Sequence, residues 1–359
     1  MTESALIKRW IHPHIRALDA YVVHHPENMI KLDQMENPYE WGDDLKNAWL
    51  ETLRGISLNR YPDGVASEVS AALRRVFQIP EALHVLLGNG SDELIQAIAL
   101  AVGGSGRVML APEPSFSMYR VIASVTGSDY VAVPRRPDFS IDPEALLDAI
   151  ESHDPCCVFL ASPNNPTGNP VNPELIEAVA KASSGIVVVD EAYHAFSETS
   201  FLDHAGAYPN VLVMRTLSKL GLAGLRLGLV MGAPELINEL NKIRLPYNVN
   251  VLTQASARFA LAHMEWFQAK ASLICEARKT LFESLRGLSG ITVYPSAANF
   301  LLFRVPSGRA DAVFSDLRAR GVLIKNLNGV HPQLEDCLRV TVSTPIENEA
   351  FFEALKASL

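Results

Sequence analysis

The segment Cys157–Gly168, CVFLASPNNPTG, joins a continuous apolar run to a polar, turn-forming run. An apolar run such as Cys157–Ala161 is typical of a β-strand buried on both faces of a parallel sheet. The polar run Ser162–Gly168 then falls at the carboxyl end of that strand, where open α/β sheets bind their ligands. Taken alone, Asn165–Gly168 is explained equally well as a simple turn, because Asn, Pro and Gly are common turn formers.

Several other short apolar runs have the same character as Cys157–Ala161 and alternate with amphipathic helical stretches. This alternation is typical of a mostly parallel sheet wrapped by helices, and it predicts the α/β class. The predicted strands are His84–Leu87, Arg107–Ala111, Cys157–Ala161, Ile186–Val189, Val211–Arg215 and Leu227–Met231.

Polar motifs follow three more of these strands. GNGSDE (88–93) follows the first, DEAY (190–193) follows Ile186–Val189, and TLSK (216–219) follows Val211–Arg215. Each motif has a simple structural explanation: Asp190 as a helix N-cap, or Lys219 as a surface lysine. Their order along the chain, together with Asn165–Gly168, instead indicates one ligand site at a shared edge of the sheet.

The final third of the chain changes character. Residues 251–285 predict one long helical segment, rich in Ala and Leu and free of Pro and Gly. A smaller α+β region follows, with predicted strands Ile291–Pro295, Phe300–Val305, Val322–Lys325 and Cys337–Val342, a helix Arg309–Arg320 and a helix from Glu347. We therefore expect an N-terminal segment 1–40 packed on the small domain or a partner, a large ligand-binding domain 41–250, a connecting helix 251–285 and a small C-terminal domain 286–359.

Composition excludes several classes of protein. The chain has 359 residues, 48% of them hydrophobic, and a formal net charge of −9 without a basic block, so disorder and nucleic-acid binding are not expected. The four cysteines form no C-x-x-C spacing, and the first-segment histidines lack the spacing of a metal site, so we expect reduced thiols and no metal. We see no signal-peptide or membrane-spanning pattern, and we therefore expect a cytoplasmic protein that is not bound to the membrane.

The ordered motifs GSDE, NNPTG, DEAY, SK with GLRLG, and LRVTVS resemble the aspartate-aminotransferase superfamily of pyridoxal-phosphate (PLP) enzymes, fold type I. The resemblance covers nearly the whole chain. It implies a large domain with a mostly parallel seven-stranded sheet between helices, plus a smaller α+β C-terminal domain. It also implies PLP as cofactor and a homodimer with shared active sites.

The resemblance assigns catalytic roles to three residues. Lys219 is the lysine that binds the cofactor aldehyde and, once substrate displaces it, moves the proton as general base and acid. Asp190 is the carboxylate that keeps the pyridine nitrogen protonated, so that the ring can act as an electron sink. Tyr193, with Asn165, is expected to donate hydrogen bonds to the phenolic oxygen of the ring.

The remaining cofactor contacts follow from the same resemblance. The cofactor phosphate is expected at the helix N-terminus of Ser91 and Asp92, because free N–H groups and the helix dipole favour an anion there. Lys219 and Arg226 stand seven residues apart, one fewer than is usual in the family. The other expected contacts are Ser218 and Arg226 to the phosphate, Phe116 stacked on the ring, and Tyr61 reaching the phosphate of the neighbouring subunit.

Within the superfamily the chain most resembles the histidinol-phosphate aminotransferases, on its length and on KLDQMENPYEW, RYPDG, SAANFLLFR and CLRVTVSTPIEN. This implies transamination between L-histidinol phosphate and 2-oxoglutarate in L-histidine biosynthesis. Arg339 is the arginine expected to bind the phosphate or carboxylate of the substrates through its guanidinium group. Lys325 stands where an arginine is more usual. Tyr21, Asn37 and Asn299 match other positions near the substrate.

Three alternatives stay open from the sequence. An aromatic amino acid aminotransferase would accept an aromatic ring where imidazole binds. A threonine-phosphate decarboxylase has a similar frame and a phosphorylated substrate, but different chemistry at Cα. A PLP-sensing transcription regulator would need a DNA-binding module ahead of the aminotransferase pattern, for which we see no room.

Overall fold

The computed structural model describes residues 5–20 and 28–359, so the predicted substrate residue Tyr21 lies outside the described residues. The strands of the described part are β1 Ile30–Lys31, β2 His84–Gly88, β3 Val108–Glu113, β4 Asp129–Pro134, β5 Cys157–Ala161, β6 Ile186–Asp190, β7 Val211–Thr216, β8 Gly228–Gly232, β9 Thr292–Val293, β10 Phe300–Arg304, β11 Val322–Leu323, β12 Lys325–Asn326 and β13 Cys337–Thr341.

The α-helices of the described part alternate with these strands along most of the chain. They are α1 Ala5–Trp10, α2 Pro13–Arg16, α3 Asp43–Arg54, α4 Ser67–Val76, α5 Ser91–Val102, α6 Met118–Val125, α7 Pro143–His153, α8 Pro173–Ala182, α9 Leu202–Ala205, α10 Pro234–Asn241, α11 Val251–Ala262, α12 Met264–Arg286, α13 Ala310–Ala319 and α14 Pro345–Lys356. No helix within these described ranges is both long and apolar enough to cross a membrane.

The main sheet has seven strands in the order β2-β8-β7-β6-β5-β3-β4. The pairs from β7 through β4 are parallel, whereas β8 is antiparallel to both β2 and β7. Strand β2 therefore runs in the same direction as β7. As a result, the carboxyl ends of β2, β5, β6 and β7 lie at one edge of the sheet, as the polar motifs after these strands predict.

Both faces of the main sheet are covered, which explains the continuous apolar runs. In β5, Val158 and Leu160 belong to one buried cluster, whereas Cys157, Phe159 and Ala161 belong to another. Successive side chains of a strand point to opposite faces, so these two clusters are the layers on either side of the sheet. The fold class predicted from the sequence is confirmed: the chain is α/β, with a mostly parallel seven-stranded sheet between helices.

The C-terminal part forms a second, smaller sheet in the order β12-β13-β10-β9, with antiparallel pairing throughout. The sequence predicts a single strand Val322–Lys325, and this prediction is wrong. Its first half, β11, pairs in parallel with β1 near the amino terminus, whereas its second half, β12, pairs with β13. The side chain of Ile324, between the two halves, is buried in the core of this region.

The predicted single helix 251–285 is also two helices. α11 ends at Ala262 and α12 begins at Met264, with the intervening His263 at φ −118° and ψ 33°, outside helical geometry. The His263 ring nitrogen Nδ1 lies 2.8 Å from the carbonyl oxygen of Phe259. Neither Gly nor Pro marks this break, so the composition of the segment gave no sign of it.

Candidate active site

The end of β7 positions Lys219 at the carboxyl edge of the main sheet. The chain there forms a short π-helical turn, Ser218–Leu222, in which Gly221 adopts φ 127°, a left-handed conformation that favours glycine. Lys219 Nζ donates a hydrogen bond to the carbonyl oxygen of Gln34 at 3.0 Å and lies 5.9 Å from the centre of the Tyr193 ring. Burial and the nearby Arg339 charge lower the pKa of Lys219 to about 8.

Asp190 ends the neighbouring strand β6 and is buried. Its Oδ2 accepts a hydrogen bond from the Tyr119 hydroxyl at 2.6 Å, and its Oδ1 accepts one from the Ala192 amide at 3.1 Å. Burial raises the pKa of Asp190 to about 6, and the Tyr119 hydrogen bond works against that rise. A carboxylate in this environment is electrostatically costly unless a cation comes close to it.

Tyr119 is a site residue that the sequence did not reveal. It lies one helical turn beyond Phe116, stacks on Phe159 with ring centres 4.5 Å apart, and meets Phe116 edge to face at 5.5 Å. Burial, with the Asp190 charge, holds the pKa of Tyr119 well above its ordinary value, so its hydroxyl keeps the proton that it donates. Its position in PEPSFSMYR, beside the predicted ring-stacking Phe116, was the available signal.

Asn165, Tyr193 and Arg339 form a buried polar group beside Lys219. Asn165 Nδ2 donates to the Tyr193 hydroxyl at 3.2 Å, and its Oδ1 accepts a short hydrogen bond from Arg339. Arg339 also donates to the carbonyl oxygen of Asp33 at 2.8 Å and lies over the Phe300 ring at 5.4 Å. Burial raises the pKa of Tyr193, so its phenol is also a hydrogen-bond donor at neutral pH.

The start of α5 forms a cradle with Arg226. Gly90 precedes α5 at φ 91°, and a Cβ atom there would lie 2.5 Å from Arg226 Nη2. A Cβ on Gly228 would lie 2.7 Å from the backbone nitrogen of Ser91, so both glycines keep this space open. Arg226 Nη1 lies 3.5 Å from Ser218 Oγ, and Nη2 lies 3.7 Å from the Asp92 carboxylate.

The short spacing between Lys219 and Arg226 does not keep Arg226 from this cradle. The chain passes from the π-helical turn into a 3₁₀ turn, Ala223–Leu225, and Arg226 itself adopts φ 48°. The cradle thus combines a helix N-terminus, a guanidinium and a hydroxyl, the groups that bind a phosphate in proteins.

Comparison with known proteins identifies the family. The model of the aminotransferase class I and II family matches residues 27–355. The chain belongs to the class I and II aminotransferases. Curated relatives include a histidinol-phosphate aminotransferase 2 of Nitrosococcus oceani, 53% identical with 98% of each chain covered, and a histidinol-phosphate aminotransferase of Chromobacterium violaceum, 48% identical with 98% of each covered. These relatives confirm the resemblance to the histidinol-phosphate aminotransferases.

A solved structure supports the same family. The histidinol-phosphate aminotransferase of Sinorhizobium meliloti, determined in complex with pyridoxal-5'-phosphate, superposes with a TM-score of 0.88 at 25% identity, covering 97% of both chains. The chain is therefore an aminotransferase, an enzyme that transfers amino groups, and it has the fold of this solved relative.

Three further predicted substrate residues lie around this aminotransferase site. Lys325 on β12 pairs directly with Arg339 on β13. Asn37 donates to the carbonyl oxygen of Leu220 at 2.9 Å, so it supports the turn that carries Lys219. Asn299 is fully buried and donates to the carbonyl oxygen of Met35 at 2.9 Å. Burial and the Arg339 charge lower the pKa of Lys325.

Within the described residues, the ring contact of Tyr61 is with Tyr247 and not with another predicted site residue. Tyr61 is 82% exposed and stacks on Tyr247, with ring centres 4.6 Å apart. The large apolar side chains of Leu58, Val65 and Leu245 are exposed on nearby stretches of sequence.

Proposed function

We propose that this aminotransferase uses PLP to transfer an amino group between L-histidinol phosphate and 2-oxoglutarate, giving imidazole acetol phosphate and L-glutamate. The observation that carries the proposal is that Lys219 and the buried fork of Arg339 meet at one site, with Asn165 bonded to both Tyr193 and Arg339. The relatives named histidinol-phosphate aminotransferase, which match nearly the full chain, support the substrate and a role in L-histidine biosynthesis.

The residues present fit PLP. The cradle at Gly90, Ser91, Ser218 and Arg226 suits a phosphate, because a Cβ atom at Gly90 would fill space that an anion needs. Asp190 is a buried carboxylate whose pKa is raised, and a protonated pyridine nitrogen is a cation that would lower it again. Phe116, in contact with Tyr119, supplies an aromatic face for the ring.

Each protein group has a defined task in transamination. Bound PLP supplies an aldehyde and an electron sink. Lys219 would supply the amine that holds the aldehyde, and the lowered pKa of Nζ lets it hold or release a proton close to neutral pH. Asp190 would keep a proton on the ring nitrogen, and Tyr119 orients that carboxylate. Asn165 and Tyr193 supply the hydrogen-bond donors for the phenolic oxygen.

Arg339 and Lys325 form the substrate end of the proposed site. Their direct pairing across β12 and β13 puts two cations on adjacent strands. A guanidinium fork suits both a phosphomonoester and a carboxylate, so the same group can receive both substrates in turn. Lys325 adds a point charge without bidentate geometry. Tyr21, Asn37 and Asn299 complete the proposed set of substrate residues.

The proposed enzyme acts as a homodimer. Tyr61 is 82% exposed, as expected if it reaches the phosphate in the partner's site. We assign segment 1–40 to packing on the small domain or the partner, 41–250 to the cofactor domain, 251–285 to the connection and 286–359 to the small domain. The four free cysteines fit a reducing compartment such as the cytoplasm.

The function is tested by titrating the protein–PLP complex with L-histidinol phosphate while following its visible absorption. We expect a spectral change at low histidinol phosphate and little response to L-tyrosine or O-phospho-L-threonine. Lys219→Ala is expected to form no L-glutamate from 2-oxoglutarate. A response to L-tyrosine alone would indicate an aromatic aminotransferase. Release of carbon dioxide from O-phospho-L-threonine would indicate the decarboxylase.

A mixing experiment tests the shared site. Tyr61→Ala and Lys219→Ala are each expected to be inactive or nearly so, and their mixture is expected to recover part of the activity through heterodimers that retain one intact site. No recovery after verified subunit exchange would contradict the assignment of Tyr61 to the partner's site.

A further inference from the structure

Arg135 is a buried arginine outside the candidate active site. It is 4% exposed and directly follows β4. Its side chain donates to main-chain oxygens: Nε to Pro114 at 3.1 Å and Nη1 to Phe139 at 3.2 Å. Burial lowers the pKa of Arg135 to about 10, which is still well above neutral pH. A buried cation that holds main-chain oxygens fixes backbone geometry, and its burial is costly unless those bonds are kept.

The Pro114 carbonyl that Arg135 holds belongs to the turn that carries Phe116. Asn164 Nδ2 donates to the same oxygen at 3.0 Å, and the Ser115 hydroxyl donates to Asn164 Oδ1 at 2.7 Å. The turn from Pro114 to Phe116 is thus held from two sides, by Arg135 after β4 and by Asn164 after β5. Phe116 is the residue that the proposed function places against the cofactor ring.

Arg135 and Phe139 also contact the C-terminal region. Gln333 Nε2 donates to the carbonyl oxygen of Arg135 at 2.6 Å. Phe139, whose carbonyl Arg135 also holds, is 1% exposed in a cluster formed by side chains of that region, with Tyr294 edge to face at 4.8 Å. The C-terminal region therefore contacts both the backbone of Arg135 and the loop that its side chain holds.

We propose that Gln333 and Arg135 form a positioning relay, through which the C-terminal region sets the Pro114–Phe116 turn and hence the aromatic face offered to the PLP ring. Both are positioning residues: their side chains donate to main-chain oxygens, and they act on the ring through Phe116. The relay rests on the proposed PLP-dependent function. It makes cofactor affinity depend on a contact from the region that also carries Lys325 and Arg339.

The test is a double-mutant cycle on PLP affinity, measured by equilibrium dialysis of the PLP-free protein. Gln333→Ala is expected to raise the Kd about threefold to tenfold, the size of one lost hydrogen bond. In a Phe116→Ala background the same substitution is expected to change the Kd less than about twofold, because the relay then has no aromatic face to position. Gln268→Ala, at an exposed position of α12, is the matched control and is expected to leave the Kd unchanged.

A purely structural role would give a different result. It would lower the thermal unfolding midpoint of the PLP-free protein and change the Kd equally in both backgrounds, which would overturn the relay. An unchanged Kd in Gln333→Ala would also overturn it. Arg135→Lys keeps the charge but not the planar fork, and it is expected to raise the Kd in the same Phe116-dependent way. Failure of the unmodified protein to bind PLP would overturn the proposed function, and the relay with it.

Discussion

Arg215 donates hydrogen bonds from both Nε and Nη2 to the same carboxylate oxygen of Glu191, at 2.9 and 2.8 Å. Both side chains are buried. Arg215 lies on β7 shortly before Lys219, and Glu191 directly follows Asp190. The pair therefore ties together the ends of the two strands that carry the lysine and the aspartate of the site.

Arg215→Met is expected to lower the free energy of unfolding by about 3–5 kcal/mol, because it leaves the Glu191 carboxylate buried without its cation. Urea unfolding of the PLP-free protein measures this. Arg54→Met is the matched control. Arg54 Nη2 lies 3.0 Å from Glu51 Oε1, but both side chains are largely exposed. That substitution should lower the free energy of unfolding by less than about 1 kcal/mol. Similar losses of unfolding free energy in the two variants would show that the buried pair contributes no more to stability than the exposed pair.

Asp190→Asn is expected to stabilise the PLP-free protein while abolishing transamination. The folded-state pKa of Asp190 is about 6, against an ordinary value of 3.8, so the folded protein binds the proton more tightly than the unfolded chain. The free energy of unfolding therefore falls as the pH rises from 3.8 to about 6, and it stays lower above that range. At about pH 7 the Asn variant should gain up to about 3 kcal/mol in urea unfolding, and at about pH 4 most of this gain should disappear.

Tyr119→Phe provides the matched comparison for Asp190. Removal of its hydroxyl removes a hydrogen bond that favours the charged carboxylate, so the pH range over which stability is lost should extend to higher pH. An Asp190→Asn variant with the same stability as the unmodified protein at every pH would contradict the raised pKa.

Attachment of PLP to the PLP-free protein is expected to become faster with pH up to about 8 and then to level off. The neutral amine is the reactive form, and the pKa of Lys219 is about 8. Stopped-flow absorption measures the rate. Arg339→Gln removes a neighbouring positive charge that lowers this pKa, so its profile should shift to higher pH. An unshifted profile would show that the Arg339 charge does not act on the lysine.

Gly90→Ala is expected to weaken PLP binding by about tenfold or more. The added Cβ would lie 2.5 Å from Arg226 Nη2, and the residue would have to keep φ 91°, which is strained for alanine. Equilibrium dialysis measures the affinity. Gly206→Ala is the control, because a Cβ there meets nothing within 4 Å. Full affinity in Gly90→Ala would argue against a phosphate at this helix N-terminus.

The central strands could be predicted because both of their faces are covered. In β6, Val187, Val188 and Val189 are all fully buried, so the run is apolar without interruption. Strand β4, Asp129–Pro134, was missed because it lies at the edge of the sheet and most of its residues are partly or fully exposed. An edge strand lacks the continuous apolar pattern, and Pro134 further obscures it.

The placement of the candidate site could be predicted only in part. Lys219, Asp190 and Asn165 each follow a recognisable strand, so their positions at one edge follow from the sheet. Tyr119 and Arg135 could not be found in this way, because their roles depend on the folded chain: Tyr119 bonds to a carboxylate 71 positions away.

The pairing of β1 with β11 joins Ile30 to Val322, about 290 residues further along the chain. A growing chain on the ribosome therefore exposes its first strand long before the partner strand has been synthesised. Central parallel strands such as β5 and β6 can pair as soon as they emerge, whereas the N-terminal strand must wait for most of the chain. Completion of the region that carries Lys325 and Arg339 is consequently a late event in folding, and the cofactor half of the site can form before the substrate half.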